Sequence, residues 1–172
     1  IARGIFDDAQ LLLEAVLDLA PNYQAARFDY AQALSGRHLH EQAHQQAEQL
    51  LTADPANRNY RTLQALTCVG LGRHERAIEL YRDLLSDATQ PAELHLSIAH
   101  SQKTLGRGAE AIAEYRAAAA ARAAFGDAYW SLANLKTYRF EDGELEQMRS
   151  AEADAATSLT DRYHLCFALG KA

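Results

Sequence analysis

GRHERAIELYRDLL, residues 72–85, and GRGAEAIAEYRAAA, residues 106–119, superimpose without a gap. Gly72 falls on Gly106, Arg73 on Arg107, Ala77 on Ala111, Ile78 on Ile112, Tyr81 on Tyr115 and Arg82 on Arg116, each 34 residues apart. A fixed offset of this length marks a chain built by repeating one supersecondary unit. Steps of 34 from Ala77 reach Ala43 and Ala9 backward and Ala111 forward. Gly4, Gly72 and Gly106 fill a column five residues earlier, and Leu13, Ala47, Tyr81 and Tyr115 fill one four residues later. Pro21 and Pro55 close two of the units.

A glycine at a turn, a small residue where helices cross, a larger apolar residue one turn on and a proline after the helix together describe a helical hairpin. The spacing predicts first helices over Asn22–Leu34, Asn59–Leu71, Pro91–Leu105 and Gly126–Tyr138, and second helices over Phe6–Leu19, Glu41–Thr52, Glu75–Ser86 and Ala109–Arg122. Pro91 suits a helix start and Asp127 a cap. The unit boundaries fall at about 1–21, 22–55, 56–89, 90–123, 124–157 and a partial 158–172, one solenoid domain over residues 1–172.

Composition agrees. The 172 residues are 48% apolar but only 8% aromatic, and alanine supplies much of the apolar share. Alanine is the best helix former and β-branched residues are few, so the fold class is all-α, with small-residue packing in place of one large core. The formal charge is −6 with lysines and arginines scattered, which argues against a nucleic-acid partner. No run approaches the ~20 consecutive apolar residues of a spanning helix, so no membrane partner is expected and a cytoplasmic location is. Cys68 and Cys166, far apart in apolar-periodic segments, are expected to act as small buried hydrophobes.

The period of 34, with its glycine, alanine, aromatic and proline columns, resembles the tetratricopeptide repeat. That family's small residue in the first helix matches the second member of Tyr30-Ala31, Gln64-Ala65, Ile98-Ala99 and Leu132-Ala133. The resemblance implies a right-handed superhelix of antiparallel helix hairpins, about four to five repeats, cut at both ends: an orphan second helix opens the chain and an orphan first helix closes it. The last unit departs from the pattern, because Phe140 and Leu145 stand where a turn glycine and a small residue are due, and YRFEDGELEQMRSAEAD makes an acidic, irregular second helix.

One motif points to chemistry. His40, Glu41 and His44 spell HEQAH, the spacing at which two histidines one helical turn apart hold zinc and a glutamate activates water. Zinc catalysis also needs a third protein ligand and an open coordination position, and Ala43 within the motif already belongs to the helix-crossing column. No metal site is therefore expected. Glu141-Asp142 lies on an exposed acidic stretch, not in acid–base machinery, and LGKA at the end lacks the glycine and hydroxyl of a phosphate-binding loop.

In such a superhelix the first helices line the concave face. Its candidate binding residues are Phe28, Gln32, Thr62, Leu66, Leu96, His100, Lys103, Trp130, Asn134, Thr137 and Tyr138. Some family members grip a carboxylate terminus with a clamp of Lys, Asn and Arg. The matching positions carry Phe28, Gln32, Leu63, Glu93 and Ser97, which disfavours that ligand. FGDAYWSLANLKTYRF, residues 125–140, with DRYHLCFALGKA, residues 161–172, resembles the final repeats of bacterial proteins in which a tetratricopeptide array precedes a sulfotransferase domain. The resemblance implies that a phosphoadenosyl-phosphosulfate site lies beyond residue 172, with no cofactor in this segment. The leading expectation is a non-catalytic scaffold for a protein or peptide, or for its own C-terminal domain. A free-standing adaptor is the alternative.

Overall fold

The computed structural model describes residues 2–172, with side chains from Asp8 onward except that of Ala9. Gly4, Phe6 and Ala9, named above as column and helix positions, lie outside those described side chains. Among the described residues there are ten helices and no strand: α1 (Ala2–Leu19), α2 (Gln24–Gly36), α3 (His40–Ala53), α4 (Arg58–Gly70), α5 (His74–Leu85), α6 (Ala92–Thr104), α7 (Gly108–Ala121), α8 (Gly126–Ala133), α9 (Asp142–Ala153) and α10 (Leu159–Lys171). Each first and second helix read from the 34-residue period is present, most within two residues of its expected ends.

The hairpin turns repeat to the level of single hydrogen bonds. After α2, α4 and α6 the chain enters the left-handed region at His38 (φ 62°), Gly72 (φ 72°) and Gly106 (φ 75°). In each turn the following N–H reaches back to close the helix: Leu39 to the carbonyl of Leu34 (2.9 Å), Arg73 to Cys68 (2.8 Å) and Arg107 to Gln102 (2.9 Å). A second bond runs from His38 to Ser35, Gly72 to Val69 and Gly106 to Lys103. This paired closure satisfies carbonyls that a helix end otherwise leaves without partners. His38 performs it without the glycine its column calls for.

The chain forms two compact units, residues 1–84 and 85–172. In the first, Ala31, Ala47, Leu50 and Leu63 make a core against which Phe28 and Tyr60 pack, while α5 buries Ala77, Ile78, Leu80, Tyr81 and Leu84. Asn57 caps α4 by accepting from the N–H groups of Asn59 and Tyr60. In the second unit one core runs from α6 to α10 and includes Ala99, Ala111, Tyr115, Leu132, Met148 and Leu165. The crossing alanines Ala43, Ala77 and Ala111 are all fully buried. Ala31, Ala65 and Ala99 in the first-helix column are fully buried too, and Ala133 is half-buried. Smallness at these positions lets backbones approach, so the columns are a packing requirement written at fixed spacing.

Three expectations are corrected. The helix expected over Gly126–Tyr138 stops at Ala133, because the Asn134 side-chain amide donates to the carbonyl of Trp130 (2.9 Å) and the next bond tightens to Leu135 N–H onto Leu132 (2.9 Å). Asp127 is not the cap of α8. The Gly126 N–H is instead satisfied by the Asp161 carboxylate of α10 (3.1 Å), and α10 passes so near that a Cβ on Gly126 would stand 2.2 Å from the Asp161 carbonyl oxygen. Cys166 is exposed, whereas Cys68 is buried as expected, and burial pushes the Cys68 thiol pKa up.

Candidate functional site

The HEQAH histidines are occupied with packing. Thr67 commits its only hydroxyl proton to the carbonyl of Gln64 (2.8 Å), so its oxygen must accept from His44 Nδ1–H (2.8 Å). That fixes the ring as the Nδ1–H tautomer and leaves Nε2 facing Glu48 at 3.6 Å. His40 lies over Gly70, where a Cβ would stand 2.3 Å from His40 Nδ1. Among the described residues no three His, Cys, Asp or Glu side chains converge as metal ligands.

The candidate concave residues divide between the two units. In the first, Gln32, Thr62 and Leu66 are exposed. Thr62 returns its hydroxyl to the carbonyl of Arg58 (2.9 Å). Phe28 is half-buried, its ring 5.7 Å from that of Tyr60 and packed on the core, and therefore serves chiefly as a packing residue.

In the second unit Leu96 is 6% exposed and belongs to the core, so its place among surface residues is corrected: its side chain joins Ala99 and Tyr115 in the same cluster. His100, Lys103 and Thr137 are exposed. The His100 ring stands edge-on to Tyr115 (5.5 Å) with Nε2 3.3 Å from Ser131 Oγ. Although the residue as a whole is exposed, protein crowds the ring, and that desolvation lowers its pKa, opposed by Asp127 and helped by Lys103. The same core pushes the Tyr115 hydroxyl up to about 12.

Trp130 and Tyr138 do not act as a pair. Trp130 is 37% exposed and lies over His164 of α10, centroids 5.7 Å apart and planes 30° apart. Tyr138 sits past the end of α8, edge-on to Phe140 (5.2 Å) and donating its hydroxyl to Glu144 Oε1 (2.5 Å). Burial and this carboxylate hold its pKa well above the usual tyrosine value. Tyr138 is therefore a packing residue of the irregular turn. Asn134, one turn beyond Trp130, accepts from Lys171 Nζ (2.5 Å).

The exposed aromatic set continues along α10 from His164 to Tyr163 (5.6 Å) and from Tyr163 to Phe167 (5.9 Å). Tyr163 is 61% and Phe167 47% exposed. Sequence reasoning passed over these residues and Lys171, though the period carried a signal: His164 lies 34 residues after Trp130 and Lys171 34 after Thr137.

Residues 1–66 match the family model of the tetratricopeptide repeat. The hairpins are tetratricopeptide repeats. A thermophilic TPR protein of Thermus thermophilus is 24% identical over 98% of this chain and 92% of its own, with a TM-score of 0.65. MamA AMB-1 is 20% identical over 98% of this chain and 90% of its own, TM-score 0.67, and MamA from Desulfovibrio magneticus RS-1 is 19% identical over 69% and 67%, TM-score 0.63. No curated protein matches the chain. At these identities the tetratricopeptide neighbours share the fold. No helix among the described residues is long and apolar enough to cross a membrane.

Proposed function

We propose that this chain is a non-catalytic tetratricopeptide scaffold that holds a protein or peptide against the α8–α10 surface of its second unit. The observation that carries the reading is the contiguous aromatic run Trp130–His164–Tyr163–Phe167, whose Trp, Tyr and Phe stand open to solvent. Rigid aromatics ringed by polar groups are what binding hot spots use, and here Asn134 and Lys171 flank them. Peptides selected from a random display library on the immobilised chain supply the test. Replacing Trp130 and Tyr163 together by alanine should weaken their binding by about 2 kcal/mol or more, while Arg82→Ala, at an exposed position of α5, should change little. Unchanged affinity in a folded double variant would overturn the reading.

The resemblance of residues 125–140 and 161–172 to sulfotransferase-linked arrays adds a finer proposal, that the held partner is a catalytic domain of the same protein. A phosphoadenosyl-phosphosulfate site would then lie in that domain. The coding sequence beyond residue 172 tests it: a strand and phosphate-binding turn support it, and a stop codon supports the free-standing adaptor.

A further inference from the structure

Beside the aromatic run, the turn after α8 and the end of α10 enclose a cavity of about 360 Å³ whose charged side chains are Lys136, Arg139 and Lys171, with no acid in its lining. Tyr138 and Phe140 supply its aromatic wall. The chain carries a net charge of −6, so three cations converging without a counter-ion run against its general balance. No carboxylate of the described residues pairs with any of the three: Lys171 is held by the neutral Asn134 oxygen, and Arg139 donates through one nitrogen to the carbonyls of Lys136 (3.3 Å) and Tyr138 (2.8 Å). The nearest acids along the chain are already engaged, since Arg116 pairs with Glu141 (3.3 Å) and Glu144 (3.2 Å), and Tyr138 donates to Glu144.

Bound carbonyls fix the Arg139 guanidinium without neutralising it, which leaves charge and N–H donors for an oxyanion. We infer that the Lys136–Arg139–Lys171 cavity is a receptor for an oxyanion group, carboxylate or phosphate, carried on a peptide segment of the partner. The inference rests on the scaffold reading and gives its partner a chemistry: aromatic contacts from α8 and α10 anchor the segment, and the cavity selects those that place a negative group next to the anchor. A peptide is favoured over nucleic acid because the cavity is single and local, whereas a phosphate backbone needs cations repeated along a track.

The test is fluorescence anisotropy on the full chain with labelled peptides: an oligoglutamate peptide, a phosphoserine peptide and its unphosphorylated twin, with inorganic phosphate and oligothymidylate as further probes. At least one anionic peptide should bind, and affinity should fall roughly tenfold or more in Lys136→Gln/Arg139→Gln. Lys171→Gln, which leaves the Arg139 turn intact, should weaken it independently, and Arg76→Gln, an exposed cation of α5 paired with Glu79, should not. Binding of the glutamate peptide alone assigns the site to carboxylates, and binding of the phosphopeptide alone assigns it to phosphate. The inference is overturned if neither binds, if Arg76→Gln costs as much as the cavity variants, if inorganic phosphate displaces peptide at equal concentration, or if oligothymidylate binds more tightly than both. Library peptides sensitive to the Trp130/Tyr163 change yet indifferent to the cavity variants would overturn this inference and leave the scaffold reading standing.

Discussion

His38 takes a φ of 62° at the turn position where Gly72, 34 residues later, takes 72°. Both close a helix with the same pair of backbone bonds, so the fold imposes the left-handed conformation whatever the residue. For an L side chain that conformation costs about 1–2 kcal/mol. His38→Gly should therefore stabilise the protein by about 1 kcal/mol. Gly72→Ala should destabilise it by about as much through conformation alone, since a Cβ at Gly72 meets nothing within 4 Å. Urea unfolding of the two variants checks both signs, and equal shifts in the same direction would refute the argument.

The crossing column should resist enlargement. Ala77 and Ala111 have no exposed surface, so Ala77→Leu or Ala111→Leu forces helices apart and should cost about 1–3 kcal/mol. Ala113, on the same helix as Ala111 but exposed, accepts leucine with little change. Melting curves of the three variants decide the register.

His44→Ala removes the donor to Thr67 from a site that is 7% exposed. The loss should be about 1–3 kcal/mol, and it should be the same with and without a chelator, because it arises from a hydrogen bond and packing. Elemental analysis should find zinc far below one per chain. Stoichiometric zinc that disappears in the variant would place a metal where the structure places a core histidine.

The lowered pKa of His100 gives a stability term of definite sign. The folded protein resists the proton that the unfolded chain takes up near the ordinary value of 6.5, so in the interval between the lowered value and 6.5 the unfolded state binds more protons and stability falls as pH falls. Above that interval the term vanishes. His100→Gln keeps a polar partner for Ser131 and should show a smaller loss between about pH 7 and pH 5 than the parent. Unfolding free energies across that range, with the His100 titration followed by NMR, make the measurement; a parent and variant that decline in parallel would exclude His100 as the source.

Much of the fold was legible because a tetratricopeptide array is assembled from nearest-neighbour contacts. The 34-residue spacing of Gly72 and Gly106, of Ala43, Ala77 and Ala111, and of Tyr81 and Tyr115 encodes one turn, one crossing and one packing contact per unit. Local backbone chemistry then sets the helices nearly to the residue. Tertiary structure decided what the period does not carry. The end of α8 at Ala133 is set by a local turn, but the cap that Asp161 supplies to Gly126 depends on a helix 35 residues away in sequence. Leu96 and Trp130, one period apart, differ in exposure because Leu96 lies within the core cluster while Trp130 meets the His164 ring on its open side. Lys136, Arg139 and Lys171 come together because Asn134 turns the chain out of its helix and draws Lys171 to the same corner. Spacing along a chain specifies which residues share a helix face, but what covers that face is specified by distant side chains, and exposure and charge at a surface follow from the covering.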